Sequence, residues 1–118
     1  MSPVPPGRLS VARSTTPDGV TVLALDGEVD HITGGEFRRA FRAPRDLASP
    51  RTVVDLSQVS FMDSAGVNAL ILAHRNAVAA QGWVRLAAPS QSVLRVLRIV
   101  GVDSVIDCHG SLQQALRD

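Results

Sequence analysis

Apolar positions along the chain follow two different spacings, and together they predict strands that alternate with helices. Short apolar runs rich in β-branched residues predict strands, and apolar residues three and four positions apart predict helices. Strands are predicted at residues 8–13, 20–25, 52–56, 83–87 and 102–106, and residues 27–30 continue or bend the second of them. Helices are predicted at residues 34–41, 67–81, 90–100 and 111–117.

Turn and capping residues mark where these segments begin and end. Residues 15–19, with Pro17 and Gly19, predict a turn that pairs the first two strands. Thr33 with Glu36 three residues later has the spacing of a capping box at a helix start. Gly82 is well placed to cap the end of the central helix, and Gly101 to end the next one.

The order of elements predicts a single α/β domain. Strands that alternate with helices favour a parallel or mixed sheet with helices packed on it. A chain of 118 residues supports one domain with one core. We therefore expect about four to five strands with about four helices in residues 8–118, preceded by a short mobile proline-rich tail at residues 1–7.

Composition and charge exclude several classes of protein. The net charge of +1 is not the signature of a nucleic-acid-binding protein. No apolar stretch approaches the roughly 18 residues that a membrane span needs. Cys108 is the single cysteine, so no internal disulfide forms, which fits a reducing cytoplasm. We expect a cytoplasmic protein with no membrane partner and no direct contact with nucleic acid.

A cluster of arginines lies on and after the first predicted helix. Arg38, Arg39, Arg42 and Arg45 could contact nucleic acid or an acidic partner. The near-zero net charge and the aromatic content of 3% favour a solvated helix face instead.

Ser64 lies where a predicted strand gives way to a helix, and three roles are open to it. Its hydroxyl could cap the helix by accepting a backbone hydrogen bond. It could accept a phosphoryl group, because a helix N-terminus offers free N–H groups and a positive dipole end. It could be a hydrolase nucleophile, but the nucleophile elbow requires glycine two residues earlier, where Met62 stands.

Other polar residues give weaker signals. Asp30 and His31 form a cluster that is either a solvated loop or a recognition surface. Asp30 and Asp63 could form a carboxylate pair for acid–base chemistry or Mg²⁺, but two isolated carboxylates are weak evidence. Cys108 and His109 do not make a zinc site without further ligands. No catalytic residue, metal or cofactor is expected.

The motif Phe-Met-Asp-Ser-Ala-Gly at residues 61–66, with two further segments at residues 25–33 and 94–102, resembles the anti-anti-sigma factors, the bacterial anti-sigma factor antagonists built on a STAS domain. Residues 54–66, which include Phe-Met-Asp-Ser-Ala-Gly, closely resemble the family signature. Residues 25–33 are similar to its Gly-Glu-Leu-Asp segment, and residues 94–102 resemble its late helix more weakly. Two departures are Ala65, where the family often has serine or threonine, and Asn68, where it often has glycine.

The resemblance implies a STAS fold, no enzymatic activity and a partner-switching mechanism. The unphosphorylated protein would bind an anti-sigma factor that is also a serine kinase, and so release the sigma factor. The kinase would phosphorylate Ser64, and a PP2C-type phosphatase would reverse this. We expect a monomer or weak dimer. The partner-binding surface would comprise Asp30, His31, Thr33, Asp63, Ser64, Ala65, Gly66 and Asn68.

Three other functions remain open at this point. The chain could be a STAS scaffold subunit of a larger signalling assembly, with Ser64 tuning assembly. It could be a serine hydrolase, or the cytoplasmic tail of an anion transporter, which the lack of a membrane segment disfavours.

Overall fold

The fold was analysed in a computed structural model that describes residues 8–41 and 49–117. Within these ranges it contains five strands, four α-helices and one short 3₁₀-helix, Val102–Ser104. The strands are β1 (Leu9–Thr15), β2 (Thr21–Val29), β3 (Arg51–Met62), β4 (Trp83–Ala87) and β5 (Cys108–His109). The helices are α1 (Gly34–Ala40), α2 (Ser64–Ala79), α3 (Gln91–Ile99) and α4 (Leu112–Arg117). The N-terminal tail expected at residues 1–7 lies outside the described residues.

The strands form one mixed sheet in the order β1-β2-β3-β4-β5. β1 is antiparallel to β2, and each later neighbouring pair is parallel. The parallel pairs are connected by helices, as a crossover connection requires. The predicted mixed sheet with helices packed on it is confirmed. Because β2 and β3 are parallel, their carboxyl ends meet at one edge, where Val29 pairs with Met62.

The core lies on both faces of the sheet, and the alternation along β3 shows this directly. Val54 and Leu56 are fully buried in the large cluster that includes side chains of α1, α2 and α3. Val53 points to the opposite face and is buried in a smaller cluster under α4, which contributes Ala115. Successive residues of a strand face opposite sides, so β3 is the central element to which both layers attach.

The final strand is the one element that was wrongly predicted. Residues 102–106 form a helical turn, in which the N–H of Ile106 donates to the carbonyl of Val102 at 2.8 Å. Both side chains are buried, and their four-residue spacing places them on the same side of a helical turn. The β-branched composition favoured a strand, whereas the spacing of the buried residues corresponds to a helical turn. The last strand is the two-residue β5.

Gly82 and Gly101 end their helices in different ways. Gly101 has φ +80° and ends α3 in the left-handed conformation, as predicted. After α2 it is Gln81, with φ +63°, that takes this conformation, so Gly82 is not the left-handed cap. The N–H of Gly82 instead donates to the carbonyl of Ala77 at 2.7 Å. A Cβ on Gly82 would lie 1.8 Å from the carbonyl oxygen of Pro50, so close backbone packing requires this glycine.

Asp63, and not Ser64, caps the N-terminus of α2. The Asp63 carboxylate accepts hydrogen bonds from the N–H of Ala65 at 2.8 Å and of Gly66 at 3.4 Å. Ser64 is the first residue of the helix itself. The capping role considered for Ser64 is therefore wrong, because the preceding carboxylate already satisfies the free N–H groups.

The packing at Gly82 can be tested by comparing two glycine-to-alanine substitutions. Gly82→Ala should lower the free energy of unfolding by about 1–3 kcal/mol, because the new methyl group overlaps the Pro50 backbone. Gly35→Ala in α1 is the matched control, since its Cβ would meet nothing closer than 3.7 Å. It should raise the free energy of unfolding by about 0.5–1 kcal/mol. Urea denaturation measures both free energies of unfolding. Equal changes in the two variants would contradict the close packing of Gly82 against Pro50.

The cap at Asp63 gives a second stability prediction. Asp63→Ala should lower the free energy of unfolding by about 1 kcal/mol, because it removes the acceptor for two N–H groups. Asp63→Asn keeps an acceptor oxygen and should lose less. Ser64→Ala should change the value by less than about 0.5 kcal/mol. A larger loss of unfolding free energy for Ser64→Ala than for Asp63→Ala, measured in the same urea titration, would show that Ser64 is the capping residue.

Candidate functional site

The candidate site lies at the edge of the sheet where β2 and β3 end. Asp30 follows Val29 at the end of β2, and Asp63 follows Met62 at the end of β3. The N–H of Asp63 donates to the carbonyl of Val29 at 3.1 Å, which ties the two strand ends together. The two segments singled out in the sequence, around Asp30 and around Ser64, are therefore neighbours in the fold.

Ser64 is exposed and its side chain makes no hydrogen bond to any residue that the structure describes. It is the first residue of the 16-residue helix α2, so it lies at the positive end of the helix dipole. Because Asp63 caps the helix, the Ser64 hydroxyl is not needed as a capping acceptor. The hydroxyl is therefore accessible to a modifying enzyme, and its modification breaks no internal hydrogen bond.

Asp30 closes the loop between β2 and α1. Its carboxylate accepts hydrogen bonds from the N–H of Thr33 at 3.0 Å and from the N–H of Ile32 at 2.9 Å. The bond from Thr33 is the main cause that holds the pKa of Asp30 below its usual value, and the bond from Ile32 acts in the same direction. Asp30 is therefore ionised at neutral pH, and it orders the loop beside Ser64.

Thr33 holds the same loop from inside the protein. Its side chain is 3% exposed. The hydroxyl donates to the carbonyl of Glu28 at 2.8 Å and accepts from the N–H of Asp30 at 3.0 Å. It makes no capping bond to α1, so the predicted capping box with Glu36 is wrong. Burial also removes Thr33 from the set of residues that could contact a partner, because its hydroxyl is used within the loop.

Gly66 is the second member of the predicted surface that proves to be internal. It is buried, and a Cβ at this position would lie 2.7 Å from Met62 Cγ and 2.8 Å from Val29 Cγ1. The absence of a side chain lets α2 approach the ends of β2 and β3. Gly66 therefore positions Ser64 and does not offer a contact of its own.

The remaining predicted residues do lie at the surface. The His31 side chain is 81% exposed, and its Nδ1 lies 4.0 Å from the Asp63 carboxylate. Asn68 is exposed and Ala65 is half-buried. These two residues and His31 line a shallow cavity of about 200 Å³ between α1 and the first turns of α2.

The structure adds surface residues that the sequence analysis did not assign to the site. Arg38 and Leu72 line the same cavity as Asn68. Ile32 in the Asp30 loop is 71% exposed, and Phe61 just before Met62 is 49% exposed. Ile32 and Phe61 are therefore the exposed apolar side chains in the two segments that form the site. The four-residue spacing from Asn68 to Leu72 was the available sequence signal, since it places both on one helix face.

Other predicted polar features do not converge on Ser64. No histidine lies within hydrogen-bond distance of its side chain among residues 8–41 and 49–117. In those same ranges no group of three or more His, Cys, Asp or Glu side chains could hold a metal ion. The Asp30 and Asp63 carboxylates instead bind backbone N–H groups. Among the helices described, none combines the length and apolar character that a membrane crossing demands.

The arginine cluster is described in part. Arg38 and Arg39 are exposed on α1. Arg42 and Arg45 lie outside the described residues.

Comparison with proteins of known sequence and structure identifies related chains. BtrV of Bordetella bronchiseptica, named as a candidate anti-sigma factor antagonist, is 26% identical over 98 residues, which are 83% of this chain and 84% of BtrV. The crystal structure of an anti-sigma factor antagonist from Mycobacterium paratuberculosis superposes with a TM-score of 0.83 at 26% identity. The superposition covers 98% of this chain and 99% of that protein.

The Bacillus protein SpoIIAA has the same fold in two chemical forms. The unphosphorylated form of this anti-sigma factor antagonist superposes with a TM-score of 0.76 at 24% identity, over 91% of this chain and 93% of SpoIIAA. The phosphorylated form superposes with a TM-score of 0.70 at 21% identity, over 92% and 97% of the two chains. At these identities the likeness is evidence for the fold alone.

A family model covers almost the whole described chain. The model of the STAS domain matches residues 12–115, which run from β1 to α4. This match agrees with the mixed sheet and with the resemblance found in residues 54–66. The chain belongs to the STAS domain family.

Proposed function

We propose that this protein is a cytoplasmic anti-sigma factor antagonist. In the unphosphorylated form it binds an anti-sigma factor that is also a serine kinase, and phosphorylation of Ser64 dissociates the complex. The observation that carries the proposal is the exposed Ser64 hydroxyl, which has no structural task because Asp63 caps α2. The names of the relatives in Bordetella and Mycobacterium support the choice of partner.

The chemistry at Ser64 is a phosphoryl transfer. The kinase moves the γ-phosphoryl group of ATP to the Ser64 oxygen, the hydroxyl proton passes to a base of the kinase, and ADP leaves. A PP2C-type phosphatase would hydrolyse the phosphoserine with water and restore the hydroxyl, releasing inorganic phosphate. This protein contributes a substrate hydroxyl at a helix N-terminus and no catalytic group.

The effect of the phosphate is local and electrostatic. It adds roughly −1.5 to −2 charges at pH 7. These charges appear beside the carboxylate of Asp63, which already caps the helix, and near the ionised Asp30. The surface that contacts the kinase therefore gains charge and bulk while the fold keeps its hydrogen bonds. The shared fold of phosphorylated and unphosphorylated SpoIIAA supports a switch without refolding.

Incubation with candidate anti-sigma kinases and ATP tests the phosphorylation site. The wild type should gain one phosphate, measured by intact mass, and Ser64→Ala should gain none. Ser60→Ala is the matched control, because Ser60 is another exposed serine only four residues away, and it should be phosphorylated like the wild type. Equal phosphorylation of Ser64→Ala and the wild type would refute the site.

Binding of the two forms to the same kinase tests the switch. The phosphorylated protein should bind with a dissociation constant about tenfold higher or more, because the phosphate adds charge and bulk to the surface that contacts the kinase. Isothermal titration calorimetry measures the constants, and far-ultraviolet circular dichroism checks that the fold is unchanged. Equal affinity of the two forms for the kinase would contradict the proposed switch. Migration of the purified protein as a large particle would favour a scaffold subunit instead.

A further inference from the structure

A groove between α1 and α2 opens next to the Ser64 surface. Its cavity of about 490 Å³ lies between the exposed faces of the two helices. It shares Arg38 and Leu72 with the smaller cavity of about 200 Å³ that reaches Ala65 and Asn68. The two cavities are therefore neighbours, and together they are called the α1–α2 groove below. This groove leads from the first turn of α2, beside Ser64, to Asn76 in its last turns.

Two apolar side chains, Leu72 and Phe41, line the larger cavity of the α1–α2 groove and are called its floor below. Leu72 on α2 is 47% exposed although it is a large aliphatic side chain. Phe41 lines the groove from the end of α1. The centroids of the Phe41 and Phe37 rings are 4.9 Å apart, and the angle between the ring planes is 56°. Phe37 is fully buried, so it fixes the position of Phe41. An exposed leucine beside a fixed aromatic ring offers a preformed contact for one apolar side chain.

The rim of the α1–α2 groove is cationic. Arg38 and Arg39 both line it, and both are exposed. Neither guanidinium has a carboxylate partner within residues 8–41 and 49–117. Arginine holds carboxylates with two parallel hydrogen bonds, so exposed arginines beside a groove are a fitting site for acidic side chains.

We propose that the α1–α2 groove binds an acidic amphipathic segment of a protein partner. One apolar side chain of that segment contacts Leu72 and Phe41, and its carboxylates pair with Arg38 and Arg39. The identification of this partner with the anti-sigma factor rests on the proposed function. The exposed aliphatic side chain of Leu72 favours a peptide, because nucleic acid gains little from contact with an aliphatic group, and the oligonucleotide arm of the test below examines stacking on Phe41.

The position of the groove links it to the phosphorylation of Ser64. Ala65, the residue after Ser64, and Arg38 line the same small cavity. A phosphate on Ser64 would place negative charge at this end of the groove, where it competes for Arg38 and repels an acidic segment. Phosphorylation would then weaken the docking of the segment as well as the contact at Ser64 itself.

A labelled helical peptide with glutamates on one face and leucines on the other is the probe. Fluorescence anisotropy should show saturable binding to the full chain, with an affinity that falls as salt rises. Arg38→Glu combined with Arg39→Glu should raise the dissociation constant about tenfold or more. Arg8→Glu combined with Arg117→Glu is the matched control, since these exposed arginines line neither cavity of the groove and give the same change in net charge. The control should bind like the wild type.

Three results would overturn the proposal. The first is no saturable binding by the wild type. The second is an equal rise of the dissociation constant in the two double variants, which would mean that net charge alone attracts the peptide. The third is tighter binding of a labelled single-stranded oligonucleotide than of the peptide, with the same loss in the α1 variant. Leu72→Ser adds a test of the floor: it should weaken the leucine-containing peptide and leave a peptide with alanines in their place unaffected.

A kinetic experiment separates this proposal from the proposed function. The peptide titration contains neither kinase nor ATP, so its failure leaves phosphorylation of Ser64 untouched. With a kinase that phosphorylates the wild type, the Arg38→Glu and Arg39→Glu variant should show a higher KM and an unchanged kcat. Phosphorylation with the wild-type KM would overturn the groove as the docking site of the kinase while the assignment of Ser64 stands.

Discussion

The carboxylate of Asp63 at the start of α2 is the interaction on which the site depends. It accepts hydrogen bonds from Ala65 and Gly66, while the backbone N–H of the same residue donates to Val29 at the end of β2. One residue thus joins the ends of two parallel strands to the helix that follows. Because the helix is capped from outside, Ser64 needs no role in holding it, and its hydroxyl stays available at the surface.

The residues of the site divide into those that position it and those that face outward. Thr33 and Gly66 are buried, one inside the β2–α1 loop and the other against Val29 and Met62. Ser64, His31 and Asn68 are exposed. The residues predicted for the partner-binding surface therefore fall into two groups, buried residues that position the site and exposed residues that could contact a partner. The internal members set the geometry that presents the external ones.

Acidic and basic side chains lie in separate places on the surface around Ser64. Carboxylates of Asp30 and Asp63 lie at the strand ends, whereas Arg38 and Arg39 lie along α1. An added phosphate would make the acidic end more acidic and would compete for the nearest arginine. The switch that we propose would therefore change the charge of the docking surface and leave the hydrophobic core untouched.

The sequence by itself determined the alternation of strands and helices and the mixed sheet, and it singled out Ser64 as the candidate site. These follow from local periodicity and from a short motif, and both are properties of neighbouring residues. The tertiary structure decided what depends on contacts between distant segments. Asp63 rather than Ser64 caps α2, Thr33 turns inward to Glu28, and Gly82 is required by Pro50. The α1–α2 groove likewise exists only where two helices pack side by side, so no local pattern could have shown it.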